Sequence, residues 1–291
     1  MVEDDRLPQP PTPRLRDYVL EDYAPAAPLE GRLHNASLFR AWLRDQGWLD
    51  RVWPMVEALQ AALGPDETVW GIKARREGPP SLELYWYNHC RNAPGSPKSV
   101  RRIAARLGSH IELQATADER LPYLMCSLEL DAAALSAGVA PPFRVYLAGR
   151  RSAEGYDGVS MRLDAGRLCF EGSYWFYPQP AERALLRDRV RGAWRLGDAS
   201  QRRWLSQPAL LDCHSVCYAM KAETDALYFS RVPTASLLGP LSELWPAQAA
   251  RLGAEAARFD HQRWDLGVDL GCPSGALGQA TVQKVGLYGV F

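Results

Sequence analysis

The chain has 291 residues, 47% of them hydrophobic, which is enough to bury a large core as one big barrel or as two ordinary domains. Lys+Arg and Asp+Glu stand at 34 each, so a formal net charge of zero supplies no long-range field for gathering nucleic acid, and any anion has to be met locally. Met1 to Pro13 is acidic and then proline-rich, unlike a signal peptide, and no apolar stretch reaches membrane-spanning length; the expectation is a cytoplasmic protein with no membrane partner.

Residues 1–30, interrupted by prolines, read as an irregular N-terminal arm, which leaves 31–291 as one barrel domain. Asn35-Ala36-Ser37 precedes a helical stretch, Leu38 to Leu49. Helical spacing continues over Val52 to Leu63, with Val52, Met55, Val56, Leu59 and Leu63 on one face, until Gly64-Pro65 stops it. The apolar period then changes from 3.6 to 2. Strands over Thr68 to Arg75 and Ser81 to Asn88, joined by a Gly-Pro-Pro turn, lead into a short basic helix from about Pro97 to Leu107. Further strands fall at Leu121 to Leu130, Phe143 to Gly149, Gly158 to Leu163 and Leu168 to Tyr177, with Asp164-Ala-Gly166 turning the last two into a hairpin. An amphipathic helix, Glu182 to Trp194, precedes a hairpin of Leu211 to Lys221 with Ala226 to Arg231. Helical Thr234 to Arg258 is expected to break at Pro240 and Pro246. Trp264 to Leu270 and Thr281 to Val290 make the last pair. About ten strands therefore come two at a time, with connections too short for parallel crossovers and helices after several pairs. The predicted fold is α+β: an antiparallel β-barrel of about ten strands surrounded by helices.

Six cysteines (Cys90, Cys126, Cys169, Cys213, Cys217 and Cys272) lie scattered in strand-like runs and read as reduced, small core residues. Cys213-His214-x-x-Cys217 has zinc-ligand residue types. Strand alternation, however, sends the two cysteines to one face and His214 to the other, and no second ligand pair follows, so no metal site is expected.

The faces of the strands carry the chemical information. Trp70, Ile72 and Ala74 oppose Gly71, Lys73 and Arg75; Leu82, Leu84 and Trp86 oppose Glu83, Tyr85 and Tyr87. Phe143, Val145 and Leu147 oppose Arg144 and Tyr146, while Val159, Met161 and Leu163 oppose Ser160 and Arg162. Val216, Tyr218 and Met220 oppose Ser215, Cys217 and Lys221; Leu227 and Phe229 oppose Tyr228 and Ser230; Val285 and Leu287 oppose Lys284, Gly286 and Tyr288. The polar face is dominated by Lys, Arg and Tyr. If the sheet curls until these faces converge, Lys73, Arg75, Arg144, Arg162, Lys221 and Lys284 line one cavity with several tyrosines. Such a lining is unfavourable unless an anion neutralises it, and a diphosphate suits the donors present. The alternative is an open sheet with one solvated basic face.

Paired antiparallel strands with intervening helices, and an inner face of basic residues alternating with tyrosine, resemble the aromatic prenyltransferases of the αββα (ABBA) barrel type. The likeness in letters is carried by Val52-Trp-Pro-Met-Val-Glu-Ala-Leu-Gln-Ala-Ala-Leu63, by the strands after it through Leu82-Glu-Leu84, and by Ala226-Leu-Tyr-Phe-Ser230; in kind it spans roughly 38–291. Two features depart from the pattern: no helix separates the fourth and fifth strands, and Ala132 to Pro142 inserts a loop or turn of helix within a strand pair.

The resemblance implies transfer of a prenyl group from an allylic diphosphate, dimethylallyl or geranyl, to an aromatic small molecule or the aromatic side chain of a peptide. Lys73, Arg75, Arg144, Arg162, Lys221 and Lys284 would hold the diphosphate together with Tyr146, Tyr228 and Tyr288, whose rings would also flank the allyl cation. Glu83 would take the acceptor's proton, its competing role being a salt bridge to Lys73 or Arg75. Tyr85, Tyr87 and Trp175 would stack the acceptor. With no Asp-Asp-x-x-Asp cluster in the chain, no cofactor is required and Mg2+ is optional. Phosphate-binding glycine loops and a Gly-x-Ser-x-Gly elbow are also absent from the sequence. The expected state is a monomer. Two other functions fit the same face: a non-catalytic binding protein for an anionic or aromatic small molecule, and a cyclase or hydrolase using Glu83 with His214.

Overall fold

The computed structural model describes residues 1–11, 13–88, 98–113, 123–152, 155–164, 166–193, 195–196, 203–272 and 280–291. Ten antiparallel strands form the centre: β1 (Thr68–Arg75), β2 (Ser81–Tyr87), β3 (Tyr123–Asp131), β4 (Arg144–Ser152), β5 (Gly155–Asp164), β6 (Arg167–Pro178), β7 (Ser215–Lys221), β8 (Asp225–Pro233), β9 (Arg263–Gly271) and β10 (Thr281–Val290). Each strand pairs with its neighbours in sequence, and β1 closes on β10 in a register running from Val69 opposite Val290 to Arg75 opposite Lys284. Closure leaves no strand edge unpaired, which removes the aggregation hazard of an open sheet and rules out the solvated basic face. A two-residue parallel bridge, Glu112–Leu113 with Val139–Ala140, lies apart from the barrel.

The described helices are α1 (Ala36–Asp45), α2 (Leu49–Leu63), α3 (Val100–Leu107), α4 (Ala132–Ala137), α5 (Arg183–Gly192), α6 (Pro208–Leu211), α7 (Thr234–Leu244), α8 (Pro246–Ala254) and α9 (Ala256–Phe259). Gly47, at φ +71°, separates α1 from α2, so the first helix ends before Leu49. Ser99 caps α3 by accepting from the Arg102 N–H, and the expected start at Pro97 lies outside the described residues. Of the two expected proline breaks only Pro246 occurs: it opens α8 after Trp245 leaves helical geometry, whereas Pro240 stays inside α7. Pro240 is buried there, so its packing offsets the hydrogen bond it cannot make.

Alternation sends one face of each strand outward to the helices. Trp70 and Ile72 of β1, Leu82, Leu84 and Trp86 of β2, Phe229 of β8, Leu266 and Val268 of β9 and Val285 and Leu287 of β10 pack in one core with Phe39, Trp42, Val56, Leu59, Leu237 and Leu252 from α1, α2, α7 and α8. Each fully buried side chain of this kind contributes about 1.5–3 kcal/mol. Cys213 precedes β7 and joins this outer core while Cys217 turns into the barrel, so the pair does not share a face as expected of one continuous strand.

A second, smaller cluster sits inside the barrel: Leu20, Val69, Tyr85, Tyr87, Tyr288 and Val290, with Tyr18, Met125, Tyr146 and Tyr228 against them. Leu20 and Tyr18 come from the N-terminal segment, which apart from a 3-10 turn at Glu3–Asp5 and two isolated bridges is irregular. Its stretch from Arg14 to Tyr23 forms a strap across one end of the barrel. The strap is tied by Arg16 to Glu67 (2.9 Å) and to the Asp66 carbonyl (2.7 Å), and by the Tyr23 hydroxyl, which accepts from the Arg263 N–H (3.0 Å). Among the described residues no helix is long and apolar enough to cross a membrane.

Candidate active site

Inward-facing side chains divide the lumen into two chambers. A polar one of about 760 Å³ is lined by Lys73, Arg75, Glu83, Glu129, Arg144, Arg162, Glu171, Lys221, Asp269 and Lys284 among others. An apolar one of about 410 Å³ is lined by Val69, Tyr87, Met125, Phe176 and Cys217, with Tyr18 and Val19 of the strap and Asp265. Tyr85, Tyr146, Tyr174, Tyr228 and Tyr288 touch both. Their rings follow one another around the wall, with centroids 6.0 Å apart from Tyr85 to Tyr288, 6.3 Å from Tyr288 to Tyr228, 6.4 Å from Tyr228 to Tyr174 and 5.9 Å from Tyr174 to Tyr146. A girdle of five phenols thus separates charge from hydrocarbon.

Glycine makes room for the girdle. A Cβ on Gly71 would lie 2.7 Å from the Tyr288 ring, one on Gly267 2.8 Å from the Tyr228 ring, and one on Gly286 2.7 Å from the Tyr288 hydroxyl. These glycines stand on the adjacent strands β1, β9 and β10, so the two rings lie flat against backbone where any side chain would push them into the lumen.

The cations of the polar chamber are not bare, contrary to the expectation that only an external anion would neutralise them. Lys73 bonds Glu83 and reaches Glu129 at 3.1 Å. Arg144 donates to Glu129 (2.6 Å), Glu83 (3.4 Å) and Glu171 (2.7 Å), and Arg75 to Glu129 (2.5 Å). Lys221 and Lys284 share one oxygen of Asp269, at 2.6 and 2.8 Å, and Lys221 also donates to the Tyr228 hydroxyl at 2.7 Å. Burial alone would favour the neutral carboxylic acids. Lys73 and Arg144 nevertheless hold Glu83 and Glu129 below the usual carboxylate range, and Lys221 and Lys284 do the same to Asp269. Seven cations (Lys73, Arg75, Arg76, Arg144, Arg162, Lys221 and Lys284) face six carboxylates (Glu77, Glu83, Glu129, Glu171, Glu223 and Asp269), an excess of one positive charge. Lys284 is the group brought closest to neutrality: burial, opposed by Asp269 but reinforced by Lys221 and Lys73, brings its ammonium down to about 7. Burial raises all five girdle hydroxyls above the ordinary phenol, so they stay protonated as donors.

Of the residues singled out in the sequence, Lys73, Glu83, Tyr85, Arg144, Tyr146, Lys221, Tyr228, Lys284 and Tyr288 meet around the polar chamber. Arg75 and Arg162 stand at its rim, with side chains 37% and 43% exposed. Glu83 forms the salt bridge that competes with its catalytic role, and accepts also from the Tyr85 and Ser127 hydroxyls. Tyr87 lines the apolar chamber with its hydroxyl donating to the Tyr18 carbonyl. Trp175 is a correction: it points outward, stacks on Tyr218 (centroids 5.5 Å apart) and lies under the Arg189 guanidinium of α5 (4.8 Å). Period two puts Tyr174 and Phe176 in the lumen instead. His214 sits half-exposed beside Glu21 (3.5 Å), outside both chambers, so it cannot act with Glu83. Glu129, Tyr174 and Asp269 were not foreseen. They stand on β3, β6 and β9, whose alternation (Ser127 with Glu129, Tyr174 with Phe176, Asp265 with Asp269) carries the same signal as the other strands.

No protein-family model matches the chain, and no curated protein does. Among solved structures the chain is similar to 5-dimethylallyltryptophan synthase from Streptomyces coelicolor, with a TM-score of 0.49 at 15% identity over 87% of this chain and 96% of that one. The same enzyme in complex with DMASPP and Trp gives 0.49 at 14% identity, over 87% and 94%. Likeness at this level says nothing about activity, which has to be read from the two chambers. The closed ten-stranded antiparallel barrel with helices outside is the architecture that the αββα resemblance implied.

Proposed function

We propose that the barrel transfers a prenyl group from an allylic diphosphate to an electron-rich aromatic acceptor of indole or phenol type. The observation that carries this reading is the girdle itself, a ring of phenols at the boundary between a chamber with excess positive charge and one lined by hydrocarbon. An allylic diphosphate has the same division along its length. Its diphosphate would take the place beside Lys73, Arg144, Lys221 and Lys284, with Arg75 and Arg162 at the rim, and its tail would pass the girdle into the apolar chamber. That chamber's volume of about 410 Å³ lies within the usual span of small-molecule pockets, about 300–1,000 Å³.

In this reading the C1–O bond breaks at the level of the girdle. Diphosphate leaves with the bonding electrons, stabilised by lysines and arginines already oriented by their carboxylates. The five π faces surround the allyl cation and keep water from it. The acceptor ring, stacked against Tyr85, attacks C1, a new bond forms, and the proton displaced from the ring goes to Glu83. An arenium ion is a strong acid, so a carboxylate held ionised by Lys73 and Arg144 is basic enough to receive it. The cations provide the neutralisation that a metal would otherwise give; turnover that persists in EDTA supports this, and loss restored by Mg2+ counts against it.

The test is incubation with dimethylallyl or geranyl diphosphate and a panel of indoles, phenols and aromatic peptides. Pyrophosphate release with a product heavier by one prenyl unit supports the reading. Tight donor binding with no release across the panel would leave the non-catalytic binding protein in its place.

A further inference from the structure

The end of the apolar chamber is not made by the barrel wall. Tyr18 and Val19, which line it, belong to the N-terminal strap, a segment that reaches the lumen from outside the sheet. The strap's tip is fixed on three sides. Asp17 closes it on itself by accepting from the N–H groups of Val19 (3.1 Å) and Glu21 (3.0 Å), and pairs with Arg231 of β8 at 2.9 Å. The Tyr18 N–H donates to Asp265 of β9 at 2.8 Å, and the Tyr87 hydroxyl of β2 donates to the Tyr18 carbonyl. Leu20 (φ +63°), in the strap's turn, and Arg231 (φ +61°), in the β8 bulge that pairs with Asp17, hold left-handed conformations that ordinary side chains avoid. Burial raises the Tyr18 hydroxyl well above the ordinary phenol, as expected of a ring in dry surroundings.

We infer that Tyr18 and Val19 set the length of hydrocarbon the site accepts, so that donor chain length is read by the strap and not by the strands. The inference rests on the proposed reading only in taking a prenyl tail as the occupant of this chamber. A tail longer than the chamber has to displace two side chains whose backbone is tied to β2, β8 and β9, whereas one that ends short of them leaves apolar surface uncovered.

The test uses the full-length chain and the dimethylallyl, geranyl and farnesyl thiolodiphosphates, in which sulfur replaces the bridging oxygen, with Kd measured by calorimetry for the wild type, Tyr18→Ala and Val19→Trp. Since a single misfitted methylene in a pocket discriminates by about tenfold or more, Tyr18→Ala should favour the longest analogue over the shortest by at least that factor, and Val19→Trp should do the reverse. Thermal melts identify any variant that has lost its fold. Opposite shifts support the ruler. Equal preference in all three proteins overturns it, and so do shifts in one direction, which a strap merely detached by both substitutions would give. Wild-type protein that binds the analogues but releases no pyrophosphate from natural donors sinks the transferase reading and leaves the ruler standing; failure to bind any analogue sinks both.

Discussion

Raising the pH from about 6 to about 9 should weaken capture of the donor through one residue, Lys284, whose ammonium ionises at about 7. Lys284 shares an Asp269 oxygen with Lys221 and faces Lys73 and Glu129, with Arg75 opposite it on β1. Because the pKa is lowered and the protonated form is the one that holds a phosphate oxygen, its contribution is complete well below 7 and disappears as the pH rises through 7. A hydrogen bond to a charged group is worth about 1.5–3 kcal/mol, so the donor's kcat/KM should fall roughly ten- to a hundredfold across that window. At low acceptor concentration, the profile of kcat/KM for the donor reports the ionisation in the free enzyme. The donor's own last phosphate proton leaves near about pH 6 and adds negative charge as pH rises, so it cannot cause an alkaline fall. Lys284→Arg keeps its charge throughout the range and should abolish the limb. A flat wild-type profile, or the same fall in Lys284→Arg, would refute the reasoning.

Gly267→Ala places a methyl 2.8 Å from the Tyr228 ring and 3.2 Å from Tyr288; overpacking of this kind costs about 1–3 kcal/mol, and the displaced girdle should lower kcat as well as Tm. Glu83→Gln keeps the shape among Lys73, Tyr85, Ser127 and Arg144 but not the base; kcat should drop about 10²–10⁴-fold with a much smaller change in donor KM, and unchanged turnover would remove Glu83 from the chemistry. Trp175→Ala breaks an outer stack with Tyr218 and a contact with Arg189; melting should show a loss of about 1–3 kcal/mol while acceptor KM stays put, and a raised acceptor KM would return Trp175 to the site.

The strands, their pairing in order and the composition of the inner wall are legible in the sequence, because alternation is a local rule: Lys73 and Arg75 cannot share a face with Trp70 and Ile72 in any extended chain. The face of β6 is equally legible: alternation puts Tyr174 and Phe176 on the lumen side and Trp175 on the other. Closure of β1 on β10 was decided by tertiary structure, since it brings Arg75 and Lys284 together across most of the chain's length. The carboxylates that face the cations were decided by strand register instead, as Asp269 is the cross-strand partner of Lys284 and Glu129 reaches Lys73 across β2. The strap inside the lumen is the extreme case of tertiary placement. Nothing local in Asp17-Tyr18-Val19 marks it as chamber wall; its place depends on Asp265 and Arg231, more than two hundred residues away along the chain, because a segment without a repeating pattern is positioned by the surface that receives it.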